Sequence, residues 1–142
     1  MPIERVSVIG AGEWGTALAQ AAALAGRDVT LIGRDPEVLS EINVAHTNRT
    51  HLGSIKLSPR IHATSRFSGA DVIILAVPAQ ASRAALEALS ALGPIGDPVV
   101  LTAKGLEQGT LDRQGEILAQ VAPDATPLVL SGPSFAVDVA AE

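Results

Sequence analysis

The chain alternates between short, unbroken apolar runs and longer stretches in which alanine and leucine recur at helical spacing. The runs at 6–9, 28–32, 71–78, 98–103 and 127–130 predict strands. Residues 71–78 are the strongest, apolar without a break after the opening aspartate, as suits a strand covered on both faces. Helices are predicted between the runs. The first opens behind a glycine-rich turn and stops at Gly26. The second spans 36–45, with Pro36 in its first turn, and the third covers 79–92, ended by Gly93-Pro94. A fourth covers 111–121. Residues 60–65 read as a weak strand, and the polar stretch 46–59 shows no period. Strands alternating with helices predict an open, doubly wound, mainly parallel sheet with helices on both faces, formed by one domain over residues 1–142.

In such sheets ligands bind beyond the carboxyl ends of the strands. That rule selects residues 10–15, 33–35, 78–80, 104–105 and 132–135, which the topology gathers along one sheet edge. The first of these is Gly10-Ala11-Gly12-Glu13-Trp14-Gly15, a G-x-G-x-x-G placed between a strand and a helix. In that context the spacing points to a dinucleotide. Gly10 makes the sharp turn, Gly12 lets a pyrophosphate approach the backbone, and Gly15 lets helix and strand pack closely. The helix N-terminus adds free N–H groups and roughly half a positive charge.

Composition narrows the classes further. A chain of 142 residues with 47% hydrophobic and 18% charged residues is expected to bury about two-thirds of its unfolded surface. Its net charge is −5 and its basic residues are scattered, which argues against a nucleic-acid surface. No apolar run reaches the ~20 residues of a membrane span, and the N-terminus lacks signal-peptide architecture, so a cytoplasmic location is expected. Cysteine is absent, so disulfides and thiolate metal sites are excluded. His46, His51 and His62 match no standard metal spacing, and no metal site is expected.

Four segments resemble the N-terminal domain of the bacterial biosynthetic NAD(P)-dependent glycerol-3-phosphate dehydrogenases, which has a Rossmann-type fold. They are Gly10 to Ala19, Ile74-Leu75-Ala76-Val77-Pro78-Ala79-Gln80, Lys104-Gly105-Leu106-Glu107 and Leu130-Ser131-Gly132-Pro133-Ser134-Phe135-Ala136. The first two are common among related dehydrogenases, whereas the last two together are specific. The resemblance implies a cofactor site comprising Gly10, Gly12, Glu13, Trp14, Gly15, Arg34, Pro78, Lys104 and Ala136. It implies a substrate seat at Lys104, Gly132 and Ser134. The implied reaction is hydride transfer between NAD(P)H and dihydroxyacetone phosphate, giving sn-glycerol 3-phosphate for phospholipid synthesis. Lys104 also fits on chemical grounds, because an ammonium at a strand's carboxyl end binds phosphate or polarises a carbonyl that gains negative charge. Arg34, at the tip of the second strand, favours the 2′-phosphate of NADPH, while Asp35 leaves NADH open.

Three departures from the family pattern stand out. Glu13 puts a carboxylate beside the expected phosphates, which at ~6 Å costs up to about 3 kcal/mol in a medium of effective dielectric near 20. It is expected to point to solvent and to weaken cofactor binding modestly. Residues 46–53 resemble the family's Asn-x-x-Tyr-Leu-Pro segment, with His51 and Gly53 in place of the tyrosine and proline. The family's general acid/base lysine, its remaining substrate ligands and its dimer contacts belong to a helical C-terminal domain beyond Glu142. The chain alone is therefore expected to be inactive, to expose an apolar patch where that domain packs, and to belong to a homodimer when full-length. Two other readings remain open. One is a two-domain dehydrogenase for another small phosphorylated or hydroxy-acid substrate. The other is a freestanding nucleotide-binding or redox-sensing module.

Overall fold

A computed structural model describes residues 2–142. Six strands form one sheet: β1 (Arg5–Ile9), β2 (Asp28–Ile32), β3 (Ile61–Thr64), β4 (Val72–Leu75), β5 (Pro98–Leu101) and β6 (Thr126–Val129). Their order is β3-β2-β1-β4-β5-β6, and each neighbouring pair is parallel. The helices are α1 (Glu13–Leu24), α2 (Pro36–Ala45), α3 (Arg49–Leu52), α4 (Ser82–Ser90), α5 (Gln114–Val121) and α6 (Ala136–Ala141). This is the doubly wound Rossmann-type α/β fold that the alternating pattern predicts.

The strand period of two divides the core between the faces. Val72 and Ile74 of β4 point to the face covered by α1, α2 and α6, where Ala19, Ala23, Ile42 and Ala140 are buried. Ile73 and Leu75 point to the other face, with Leu86 of α4 and Ile117 and Leu118 of α5. Small residues dominate α1, so this helix lies close on the sheet. Successive strands add outward from β1 to β3, and the chain then returns to place β4 on the other side of β1. The carboxyl ends of β1 and β4 therefore flank the switch point, where a crevice opens between the diverging loops.

Several boundaries differ from the sequence expectation. The helix read over 79–92 is a 3₁₀ turn at Ala79–Ala81 followed by α4. The helix read from 111 begins only at Gln114. Leu111 sits in the left-handed region at φ 64°, closing a turn in which its N–H donates to the Glu107 carbonyl at 2.9 Å. Residues 46–59, read as without period, contain α3 and bury Asn48, Leu52 and Leu57 against the core. Four residues are too short for a periodic signal. Helix α6 had no counterpart in the sequence reading, and its buried alanines pack on α1.

Candidate functional site

The glycine turn links β1 to α1, and each glycine meets a different steric demand. Gly10 has φ 112°, and a Cβ there would approach the Ala76 carbonyl oxygen to 2.5 Å. A Cβ on Gly15 would strike the Gly10 carbonyl oxygen, so this glycine brings the helix onto the turn. A Cβ on Gly12 would meet nothing within 4 Å. The space beside Gly12 is open to a ligand, and α1 begins at the next residue.

That space is part of a cleft of about 520 Å³ at the switch point. Gly10, Ala11 and Gly12 form its floor, with Gly33 and Arg34 at the end of β2 and Val77 and Pro78 at the end of β4. Ser65, Phe67 and the alanine-rich side of α4 complete the wall. The lining is largely apolar with one guanidinium, the composition of a site for a planar base carrying an anionic group. Among the described residues Arg34 makes no ion pair. Asp35 Oδ1 accepts the Glu37 N–H at 2.9 Å and caps α2.

A second cleft, about 300 Å³, lies across the turn and is lined by Trp14, Thr102, Lys104, Leu130, Ser131, Gly132 and Ser134. Lys104 Nζ donates to the Gly132 carbonyl at 3.4 Å, joining the β5 and β6 loops. Thr102 is buried, and its hydroxyl donates to the Leu75 carbonyl at 2.9 Å, so the end of β5 is fixed to β4.

The loop that follows Lys104 is fastened to α4. Arg83 donates from Nε and Nη2 to both Glu107 oxygens at 2.9–3.1 Å and reaches Asp112 at 3.2 Å. Gln80 donates to the Leu106 carbonyl at 2.9 Å and accepts the Gln108 N–H at 2.8 Å. The Arg83 guanidinium, helped by the Thr110 hydroxyl, holds the Glu107 carboxyl below the usual carboxylate range, against a smaller opposing effect of burial. A forked, partly buried pair of this kind fixes geometry as well as charge.

The structure thus brings the expected residues together in two groups. Gly10, Gly12, Arg34 and Pro78 line the larger cleft; Trp14, Lys104, Gly132 and Ser134 line the smaller. Trp14 is therefore on the Lys104 side of the turn. Gly15 is buried beneath the turn and lines neither cleft, and Ala136 is buried against α1 in the core. Glu13 is exposed, as expected. His51 is hydrogen-bonded to Asn48 and His62 is exposed on β3. The sequence reading gave Asn48, Arg83 and Thr102 no part in the site. Each acts through a long-range contact that no local spacing reveals; Gln80, inside a quoted segment, and Asn48, the asparagine of the Asn-x-x-Tyr-Leu-Pro resemblance, carried a signal of place but not of role.

Comparison with known proteins agrees with this geometry. The family described as the N-terminus of NAD-dependent glycerol-3-phosphate dehydrogenase matches residues 5–142. A glycerol-3-phosphate dehydrogenase [NAD(P)+] of Caulobacter vibrioides is 48% identical over 99% of the chain, which covers 43% of that relative. The protein of the same name from Parvibaculum lavamentivorans is 48% identical over 96% of the chain and 42% of its own length. The crystal structure of glycerol-3-phosphate dehydrogenase from Coxiella burnetii superimposes with a TM-score of 0.88 at 26% identity, covering 98% of the chain and 44% of that protein. The chain spans less than half the length of each of these three proteins.

Proposed function

Since the chain belongs to the family of N-terminal domains of NAD-dependent glycerol-3-phosphate dehydrogenases, we propose that it binds NAD(P)H as the cofactor domain of such an enzyme. The observation that carries this reading is the cradle at Gly12, a floor open to a ligand inside a cleft that ends at an uncommitted guanidinium. The residues present fit the group. In this reading the Gly12 N–H and the first turn of α1 bind the pyrophosphate, and the apolar wall from Phe67 to α4 receives the adenine. Arg34 takes a 2′-phosphate. Asp35 uses one carboxylate oxygen in the α2 cap and keeps the other for a ribose hydroxyl, so the preference for NADPH over NADH rests on Arg34. The bound nicotinamide would supply hydride.

The smaller cleft extends the proposal to substrate. The Lys104 ammonium lies beside Gly132 and Ser134, where it would attract the phosphate of dihydroxyacetone phosphate or stabilise charge developing on its ketone oxygen. Glu13, exposed beside the phosphate position, would weaken binding slightly. Ketone reduction also needs a proton donor. We assign that role, with the dimer contacts, to the part of the relatives' length this chain does not span, so the chain by itself is expected to be inactive. The product would be sn-glycerol 3-phosphate, a phospholipid precursor.

Trp14 is the only tryptophan and lies at the start of α1, which makes its fluorescence a direct probe. Titration with NADPH and NADH is expected to show saturable quenching with energy transfer to the nicotinamide, tighter for NADPH. Arg34→Gln is expected to weaken NADPH about tenfold or more, the scale of one charge-assisted hydrogen bond, and to leave NADH unchanged. No saturable response from folded protein would refute the cofactor reading. Equal affinities in the parent chain would refute the role of Arg34.

A further inference from the structure

We propose that Asn48 is a positioning residue for the dinucleotide, turning the Gly12 N–H toward the ligand by holding the carbonyl of Ala11. The inference rests on the cofactor reading above and assigns a task to a segment that reading leaves unused.

Asn48 is fully buried, yet its side chain does not cap the helix it precedes. Its amide reaches back 37 positions instead. Nδ2 donates to the Ala11 carbonyl at 3.2 Å and to the Thr16 hydroxyl at 2.9 Å. Oδ1 lies 3.0 Å from His51 Nδ1. The Ala11 carbonyl can only accept, so the amide orientation is fixed, and His51 must present its Nδ1 proton to Oδ1. Every polar atom of the buried amide is thereby used. Burying a fully satisfied amide gives specific geometry, whereas a half-satisfied one would be costly.

The segment is itself anchored. Glu41 of α2 accepts the Thr47 hydroxyl and the Arg49 N–H, both at 2.8 Å, from the residues on either side of Asn48. These bonds hold the Glu41 carboxyl below its ordinary range, the Arg49 N–H contributing most. The path runs from α2 through Asn48 to the middle of the glycine turn.

Ala11 lies between the two leading glycines, and the peptide joining it to Gly12 is trans, as every peptide bond among the described residues is. In a trans peptide the carbonyl and the next N–H point in opposite directions. Drawing the Ala11 carbonyl inward to Asn48 therefore turns the Gly12 N–H away from Asn48, and around Gly12 itself a Cβ would meet nothing within 4 Å. The free φ of Gly12 permits many orientations of this peptide; Asn48 selects one. Preorganised donors cost no rearrangement when the anion arrives.

Two variants test this in the chain as it stands, each titrated with NADPH and with adenosine 2′-phosphate, which keeps the phosphate facing Arg34 and lacks the pyrophosphate. Asn48→Asp retains shape but sets a carboxylate against the Ala11 carbonyl and the Thr16 hydroxyl. It is expected to weaken NADPH at least about tenfold and adenosine 2′-phosphate less than about twofold. Thr16→Val removes one acceptor of the amide with little change of volume, and is expected to weaken NADPH about threefold with the same selectivity. If Asn48→Asp does not fold, Thr16→Val is read alone. Undiminished NADPH affinity overturns the inference while leaving the cofactor reading intact. Equal loss of both ligands also overturns it, since that marks a general structural effect. A parent chain that binds no NADPH overturns both.

Discussion

A methyl group placed on Gly12 would touch nothing within 4 Å, whereas one on Gly15, three residues on, would collide with backbone. The two glycines of one motif therefore serve different ends, and substitution separates them. Gly12→Ala is tolerated by the backbone, since Gly12 has an extended conformation at φ −81°. Its methyl would stand where the pyrophosphate must come close. Thermal stability is expected to be unchanged, with NADPH affinity lower by about tenfold or more as the phosphate is pushed off the turn. Gly15→Ala gains up to ~1 kcal/mol of helix propensity but must move α1 away from Gly10, and overpacking typically costs about 1–3 kcal/mol. The collision is with a carbonyl rather than a flexible side chain, so the destabilising effect wins. A thermal melt beside a titration checks both, and a Gly12→Ala chain that binds NADPH like its parent would remove the cradle argument. The motif's spacing was legible because glycine at these positions is a backbone requirement. The task of Asn48 was not: its place in the Asn-x-x-Tyr-Leu-Pro resemblance marked it, but nothing local tells of an amide acting across 37 residues.

The sheet's two edges are finished differently, and here the elements rather than single residues decide. On β3, Ala63 turns both backbone groups outward, where Asn43 of α2 meets them. The Asn43 amide donates to the Ala63 carbonyl at 2.8 Å and accepts its N–H at 2.8 Å, standing in for the peptide of a missing strand. Edge strands left open invite pairing with other chains. Asn43→Ala is expected to cost about 1–2 kcal/mol, the net worth of two hydrogen bonds, and to speed amide exchange at Ala63. Unchanged exchange there would mean that the amide does not protect the edge. At the other edge β6 is exposed along its whole length, with Val129 78% accessible and Phe135 76% accessible nearby. Apolar side chains are thus exposed on this side. The strands were legible because each is a compact apolar run bounded by turn residues, and β6 was legible too, although nothing in its run reveals that it stands at an edge. Helices α3 and α6 were not, being shorter than two turns.

Across the whole molecule the shifted carboxylates all move one way, and this sets how stability responds to acid. Asp71 accepts the N–H groups of Arg5 and Glu4 at 2.9 and 3.0 Å, tying the start of β1 to the start of β4 and holding its pKa below the ordinary carboxylate range. Glu41 is lowered at the Asn48 segment, Glu107 by Arg83, and Glu116 by Arg113 at the start of α5. A group with a depressed folded-state pKa binds its proton first in the unfolded chain. Its contribution is therefore complete above the unfolded values of about 4 and is lost as pH falls through the lower folded ones. Asp71 stands at the amino ends of β1 and β4, Glu107 in the loop after β5, and Glu41 and Glu116 on α2 and α5, so protonation loosens connections around the sheet. Asp71→Asn and Glu107→Gln are each expected to be less stable than the parent near pH 7 and to converge with it as pH falls below the unfolded values of about 4 and through the lower folded ones, because acid does to the parent what the substitution did. Denaturant titrations at a series of pH values measure that gap. A gap that stayed constant into acid would mean that the carboxylates contribute by shape and not by charge. The two contributions would then have to be sought in packing around Asp71 and Glu107.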